Sequence, residues 1–188
     1  MKDELFSKMI LVNIDWMNYY RGLNDEKFSN PKPKKYSEIE AYNFFNYNGF
    51  CYGGVKLKSS RINIDRIDSN NNGIYADDVL VVFTSYSNGN RIVGFYLHAK
   101  VYNSPMEIET RLKNRQYFFE AKVEDSYLIP VFNRSFKVND IKIDFITDAN
   151  VCFLDNEESK QLRTKIMKYV YDYINTLKWG LNHGRKNY

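Results

Sequence analysis

DVLVVFTSYSNGNRIVGFYLHAKVY, residues Asp78 to Tyr102, is two apolar runs joined by a short polar turn. Val79 to Phe83 is apolar and mostly β-branched or aromatic, the composition of a buried strand. Ser87-Asn88-Gly89-Asn90 is the turn, because Asn and Gly tolerate the positive φ that a primed hairpin turn needs. Ile92–Tyr102 is a second strand, longer than one face of a simple sheet requires. A bend through Gly94 would let it serve two parts of a barrel.

The rest of the chain reads as elements laid around this hairpin. Lys8–Ile14 (KMILVNI) is nearly all apolar and predicts a central strand. Asp15 is placed to cap a short helix over Trp16–Arg21, with Gly22 ending it. Leu23–Ile39, with Pro31, Pro33 and several lysines, reads as an exposed loop. Phe50–Leu57 predicts a strand, Arg61–Ile67 a short half-buried strand or turn of helix, and Ser69–Gly73 a loop. Beyond the hairpin, Pro105 acts as a breaker in a link over Ser104–Asn114. Tyr117–Val123 predicts a strand and Tyr127–Phe132 a short segment after it. Ile141–Ile146 alternates, so one of its faces is wet. Asp155, with Glu158 three residues on, starts a last helix. Its apolar face is Leu162, Ile166, Tyr169, Val170, Tyr173, Ile174 and Leu177, and Gly180 stops it. Many short strands with few helices predict an α+β fold, a small mixed β-barrel in one domain over 1–188, with its core at about 8–178 and a frayed tail at 181–188.

The chain has 188 residues, 44% of them apolar, enough to bury a sizeable core. Aromatic residues reach 16%, with 16 Tyr and 13 Phe, a composition suited to half-buried strands and to flat surfaces that stack on planar ligands. The net charge of +4 is compatible with nucleic acid without requiring it. Cys51 and Cys152 have neither metal-ligand spacing nor the number of a disulfide framework, which points to a reducing, cytoplasmic setting. The N-terminal apolar run is too short for a signal peptide, and no stretch is long enough for a membrane span.

Catalytic motifs are sparse. The histidines are His98, inside the second hairpin strand, and His183, in the tail. Phosphate-binding glycine loops, zinc-protease and calcium-loop patterns are absent. Acids that could serve as metal ligands are Asp77, Asp78, Asp144, Asp148 and Asp155. Asp78 with Glu120 and Lys122 is the one combination resembling a metal-dependent nuclease, and it is kept as an alternative. The other alternative is a protein-interaction module docking through the tyrosines of the last helix. No cofactor or metal is expected.

What remains are aromatics beside small polar residues. A pocket for one planar base needs aromatic walls and an amide for the hydrogen-bonding edge. Trp16, Tyr20, Phe45 and Tyr52 supply candidate walls, and Asn13 or Asn43 a candidate edge. Ser85 and Tyr86, ending the first hairpin strand, are placed to touch the ligand. The same residues have a plainer reading, in which Trp16 closes one end of a barrel and Phe44 and Phe45 are core.

Three stretches carry a family likeness: Ile10–Trp16 (ILVNIDW), Asp78–Tyr102, and Tyr117–Pro130 (YFFEAKVEDSYLIP). In this order they resemble the PUA-like superfamily, in its EVE and YTH branch. Trp16-Met17-Asn18-Tyr19-Tyr20-Arg21-Gly22, Tyr42-Asn43-Phe44 and Asn150-Val151-Cys152-Phe153 further resemble the N-terminal domain found ahead of HNH-type and McrB-type nucleases in modification-dependent restriction. The resemblance implies a twisted β-barrel with flanking helices and no catalysis of its own. It implies a module that binds DNA, or RNA, and admits one extruded, often modified, base to an aromatic pocket, alongside a nuclease or GTPase partner. Cys152 stands where such relatives often carry Trp, which leaves the base preference open. Extrusion costs a few kcal/mol of stacking and pairing, and stacking on aromatics at about 1–3 kcal/mol per base offsets it. Candidate phosphate contacts are Lys56, Lys58 and Arg61 beside the pocket, with Arg91, Lys113 and Arg115 across the hairpin.

Overall fold

The computed structural model describes residues 7–23, 38–86, 89–109, 114–138 and 150–183, with the backbone alone at 180–183. The strand expected at Ile141–Ile146, Lys113, Asp144, Asp148, Ser87, Asn88 and most of the loop expected at Leu23–Ile39 lie outside the described residues. The chain divides into two compact units, Met1–Phe153 and Leu154–Tyr188.

The first unit is a mixed sheet of seven strands: β1 (Met9–Asn13), β2 (Phe50–Gly53), β3 (Tyr75–Tyr86), β4 (Asn90–Ile108), β5 (Arg115–Lys122), β6 (Ser126–Leu128) and β7 (Val151–Phe153). Its order is β2-β5-β4-β3-β1-β7, with β6 on β4. Among the described residues β2 and β7 do not pair, so this is an open sheet. β1 runs parallel to β3, with Met9 opposite Leu80 and Asn13 opposite Thr84; the other pairings are antiparallel. Val79 to Ser85 is buried without interruption. A strand covered on both faces has no wet side, hence its unbroken apolar run.

The hairpin is the centre of the sheet, and its long second strand does serve two neighbours. Gly94 to Tyr96 pairs with β6, and Lys100 to Ile108 pairs with β5. Pro105 does not break the strand. It sits where the β4–β5 register shifts between Val101 and Met106, the irregular position at which a residue without an N–H is tolerated. Asp78 and His98 bulge opposite one another with φ of 58° and 50°, and Asp78 Oδ1 lies 2.6 Å from His98 Nδ1. Gly94 allows close approach: a Cβ there would stand 2.6 Å from Tyr127 O and collide with the Phe44 ring. Gly94→Ala is expected to cost about 1–3 kcal/mol of stability by overpacking, read as a lower urea midpoint with an unchanged slope.

One sheet face carries the core, built on Ile10, Val12, Val81, Phe83, Tyr96, Val101 and Phe119. Irregular segments cover it through Ile14, Met17, Tyr20, Ala41, Phe44, Val55, Ile62 and Ile64. Side chains satisfy the backbone of these segments. Asn43, fully buried, donates from Nδ2 to Gly54 O (3.0 Å) and accepts at Oδ1 from Gly54 N–H (2.9 Å). The Tyr96 hydroxyl donates to Asn43 O.

Several local expectations shift. Trp16–Arg21 is not a helix. Tyr20 has φ of 49°, its hydroxyl donates to Asp15 O (2.7 Å) and accepts from Met17 N–H (3.1 Å), which winds the segment around its own phenol. The strand expected over Phe50–Leu57 stops at Gly53, a 3₁₀ turn over Ile64–Arg66 occupies part of Arg61–Ile67, and Val131–Asn133 forms another such turn after β6.

The second unit holds helix α1, Lys160–His183. Asn156, not Asp155, caps its entry: Asn156 Oδ1 accepts from Ser159 N–H at 2.9 Å. The helix continues through Gly180 to His183 rather than stopping there. Of the predicted apolar stripe, Leu162, Ile166 and Val170 are buried and Leu177 is exposed. Among the described residues, no helix is long and apolar enough to cross a membrane.

Candidate functional site

A cleft of about 440 Å³ opens beside β2 and β6, lined by Arg21, Phe44, Phe45, Asn46, Cys51, Val123, Ser126 and Leu128. That volume lies within the range of small-molecule sites. Strand alternation builds its floor: Cys51 and Gly53 of β2 point to the core side while Tyr52 points away. Phe45 stands at the rim, 40% exposed, with its ring edge against Tyr42 at 6.1 Å. Asn46 is exposed, its Oδ1 accepting from Gly49 N–H at 2.9 Å. Burial pushes the Cys51 thiol up, while the Ser126 hydroxyl and the Arg21 guanidinium pull it back. An aromatic rim, a cation and short polar groups form a surface that can stack on a planar ring and engage its edge or an attached anion.

A second hollow of about 270 Å³ is lined by Glu38, Ile39, Glu107, Asn114, Arg115 and Gln116. The Arg115 guanidinium lies 4.1 Å from the centre of the Tyr42 ring, and its Nε is buried without a hydrogen-bond partner. Tyr42 thus has Arg115 over its ring and the Phe45 ring in a T-shaped contact.

The residues expected to form one pocket do not line one cleft: most pack on the core side, and Tyr52 lies on the other face of the sheet. Trp16 is half-buried, with the Arg134 guanidinium 4.9 Å from its ring. Tyr20 is fully buried, its phenol pushed well up by burial. Ser85 is fully buried beside Tyr20, its Oγ without a partner at hydrogen-bonding geometry. Asn43 is committed to Gly54, and Tyr86 is 73% exposed at the end of β3. Tyr52 faces the opposite way, in a tyrosine row with Tyr47 (6.4 Å) and Tyr117 (4.7 Å), continued by Tyr102 and Tyr75. Phe45 is the one of the seven that lines the large cleft.

The phosphate candidates disperse likewise. Lys56 reaches Asp15 at 3.4 Å, Arg91 donates to Arg134 O at 2.8 Å, and Lys58 and Arg61 are exposed. Nor does the nuclease combination assemble. Asp78 is engaged with His98, Glu120 accepts from the Tyr102 hydroxyl (3.0 Å), and Lys122 lies 3.8 Å from Glu124. Among the described residues no three His, Cys, Asp or Glu side chains gather around a common point.

Two residues escaped the sequence reading entirely. Arg134, 2% exposed, donates from Nε to Ile129 O (2.8 Å), from Nη1 to Met17 O (2.6 Å) and from Nη2 to Asn18 O (2.7 Å). It fixes residues 16–20, and so the stem of Arg21. Glu40, 1% exposed, accepts from Asp15 N–H (2.7 Å) and from Lys56 N–H (3.3 Å). Burial, reinforced by the Asp15 carboxylate, raises Glu40 from an ordinary 4.5 to about 6. The folded chain thus binds this proton more tightly than the unfolded one, and stability from this group falls as pH rises through 6. Relative to Glu40→Gln, which does not titrate, the wild type is expected to gain about 1.5 kcal/mol between roughly pH 7.5 and 4.5, measured as the change in their difference in urea-unfolding free energy. A single cue was available for Arg21, which follows the two tyrosines; nothing local marks Arg134.

Comparison with protein-family models, curated proteins and solved structures returned no match.

Proposed function

We propose that this chain is a nucleic-acid-binding module that reads a modified base in DNA, holding the base extruded from its strand. The observation that carries the reading is the cleft beside β2 and β6, with exposed Phe45 at its rim and Arg21 among the side chains that line it. Phe45 stacks on the base, Asn46 and Ser126 meet its polar edge, and Arg21 takes the flanking phosphate or a base carbonyl. The PUA-like likeness of the three stretches supports the same role. On that likeness the open sheet is a barrel variant, and the chain is the cytoplasmic specificity module of a restriction or defence system whose cleavage belongs to a nuclease or GTPase partner. The site has moved from the Trp16, Tyr20 and Tyr52 set to the Phe45 cleft, because the first two are packed against Arg134 and Phe44 and the third faces the other side of the sheet.

Fluorescence anisotropy with duplexes carrying cytosine, 5-methylcytosine or 5-hydroxymethylcytosine at one position tests the reading. Tighter binding to one modified duplex, weakening linearly in log–log plots against salt, is expected. Equal and negligible binding to all three overturns it.

A further inference from the structure

Phe132 is the most exposed large apolar side chain among the described residues, at 87%. Its exposure is not slack in the chain. It sits in the 3₁₀ turn Val131–Asn133, closed by Asn133 N–H to Pro130 O (2.8 Å) and Ser135 N–H to Asn133 O (2.8 Å). Directly after the turn, the buried Arg134 guanidinium ties the loop to Ile129 O, Met17 O and Asn18 O. The fold therefore holds an apolar ring out into water on a braced support.

The surroundings of that ring are basic. Arg91 donates to Arg134 O and pairs with Lys137 across a β-bridge. In the three segments that meet here, 16–22, 89–91 and 130–138, Arg21 and Lys137 are exposed and Arg91 is half-buried, and the nearest acid in sequence is Asp15, just before the first of them. Such a surface attracts a polyanion, and the neighbouring base cleft makes that polyanion DNA. Leu128 lines the base cleft and Phe132 lies four residues further on. Their Cα atoms are therefore within about 14 Å, the reach of four extended residues, or roughly four base steps of 3.4 Å.

We propose that Phe132 is a wedge that enters the base stack of duplex DNA next to the base held in the Phe45 cleft. An extruded base leaves a gap in the stack, and apolar side chains inserted between steps fill such gaps while neighbouring cations hold the phosphates. The inference rests on the cleft being a base site. It adds that the partner is a duplex, and that Phe132 matters only where a stack must be opened.

The test uses the whole chain, with duplexes carrying 2-aminopurine beside cytosine, 5-methylcytosine or 5-hydroxymethylcytosine, and with the matching single strands. Phe132→Ala is expected to leave the melting temperature unchanged, because the side chain is exposed. It should weaken duplex binding by at least about tenfold and abolish the rise in 2-aminopurine fluorescence, while single-strand affinity stays within about twofold; Phe132→Trp should retain duplex binding. Wild-type duplex affinity and fluorescence in Phe132→Ala overturn the wedge and leave the cleft reading standing. Equal losses on single strand and duplex make Phe132 an ordinary contact and also overturn it. Loss of sedimentation with phosphatidylserine vesicles, with duplex binding intact, overturns it in favour of a lipid surface. A wild-type chain that binds neither strand nor duplex overturns the cleft reading and the wedge together.

Discussion

Arg134→Met is expected to lower the unfolding free energy by about 3–5 kcal/mol, measured by urea denaturation. Methionine matches much of the arginine volume, so the effect does not come from a cavity. It comes from three carbonyls, Met17 O, Asn18 O and Ile129 O, each losing a donor at 2.6–2.8 Å. A buried acceptor left without a partner costs about 1–3 kcal/mol. The guanidinium also lies 4.9 Å from the Trp16 ring centre and 5.7 Å from that of Tyr20, and a cation over a desolvated ring adds up to about 2 kcal/mol. Lysine at 134 keeps the charge but cannot reach three divergent carbonyls, because an ammonium is a point donor and a guanidinium a planar fork. Arg134→Lys should therefore recover less than half of the loss. A cost under about 1 kcal/mol for Arg134→Met would mean that water replaces the fork and that residues 16–20 are held by something else.

The hairpin was legible because its cause is local. β-branched runs flanking Asn-Gly mark two strands and the turn between them without reference to anything distant, whereas the register, with Tyr86 opposite Asn90, is one residue away from what a two-residue Asn88-Gly89 turn gives. The parallel placement of β1 beside β3 depends on which surfaces remain to be buried once the hairpin exists. Trp16–Arg21 shows why the rest was hidden. An Asp cap, six residues able to form a helix and a terminal Gly satisfy every local rule for a helix. The fold overrides them with a fork from Arg134, 117 residues beyond Met17, and with a phenol turned back on its own loop. No pattern within a short window records such a contact.

The site was legible only in its chemistry. Phe45 beside an amide-rich stretch carried a signal, since a Phe next to Asn46 and Asn48 suits an edge of the fold rather than its middle. Tyr20, Asn43 and Tyr52 carried the same signal for other reasons: the first is a buried loop pin, the second a backbone clasp on Gly54, the third one of a tyrosine row on the outer sheet face. That row also accounts for part of the tyrosine excess without any ligand. Arg21, Cys51 and Ser126 meet in one cleft because β2 pairs with β5 and β6 with β4, so their proximity belongs to topology.

Phe45→Ala separates stacking from charge at the proposed cleft. Phe45 is partly exposed and makes an edge contact with Tyr42, so its removal should cost less than about 1 kcal/mol of stability. Stacking on a base is worth about 1–3 kcal/mol, so binding of the preferred modified DNA should weaken by roughly 5- to 150-fold in anisotropy titrations. Preference for the modified base should shrink with it, because a base that is no longer held is no longer read. The salt dependence should not change, since a benzyl ring releases no counterion. Arg21→Gln should behave in the opposite sense if Arg21 meets a phosphate. It then lowers the slope of log K against log salt by about 0.7–0.9 and leaves the ratio of modified to plain binding nearly intact. If Arg21 instead bonds a base carbonyl, the slope holds and the ratio falls. The two substitutions thus assign the two halves of the cleft, and Phe45→Trp, which widens the stacking surface, should bind at least as tightly as the wild type. Unchanged affinity and unchanged preference in Phe45→Ala would remove the cleft beside β2 and β6 as the base site, whatever the affinity of the chain for DNA.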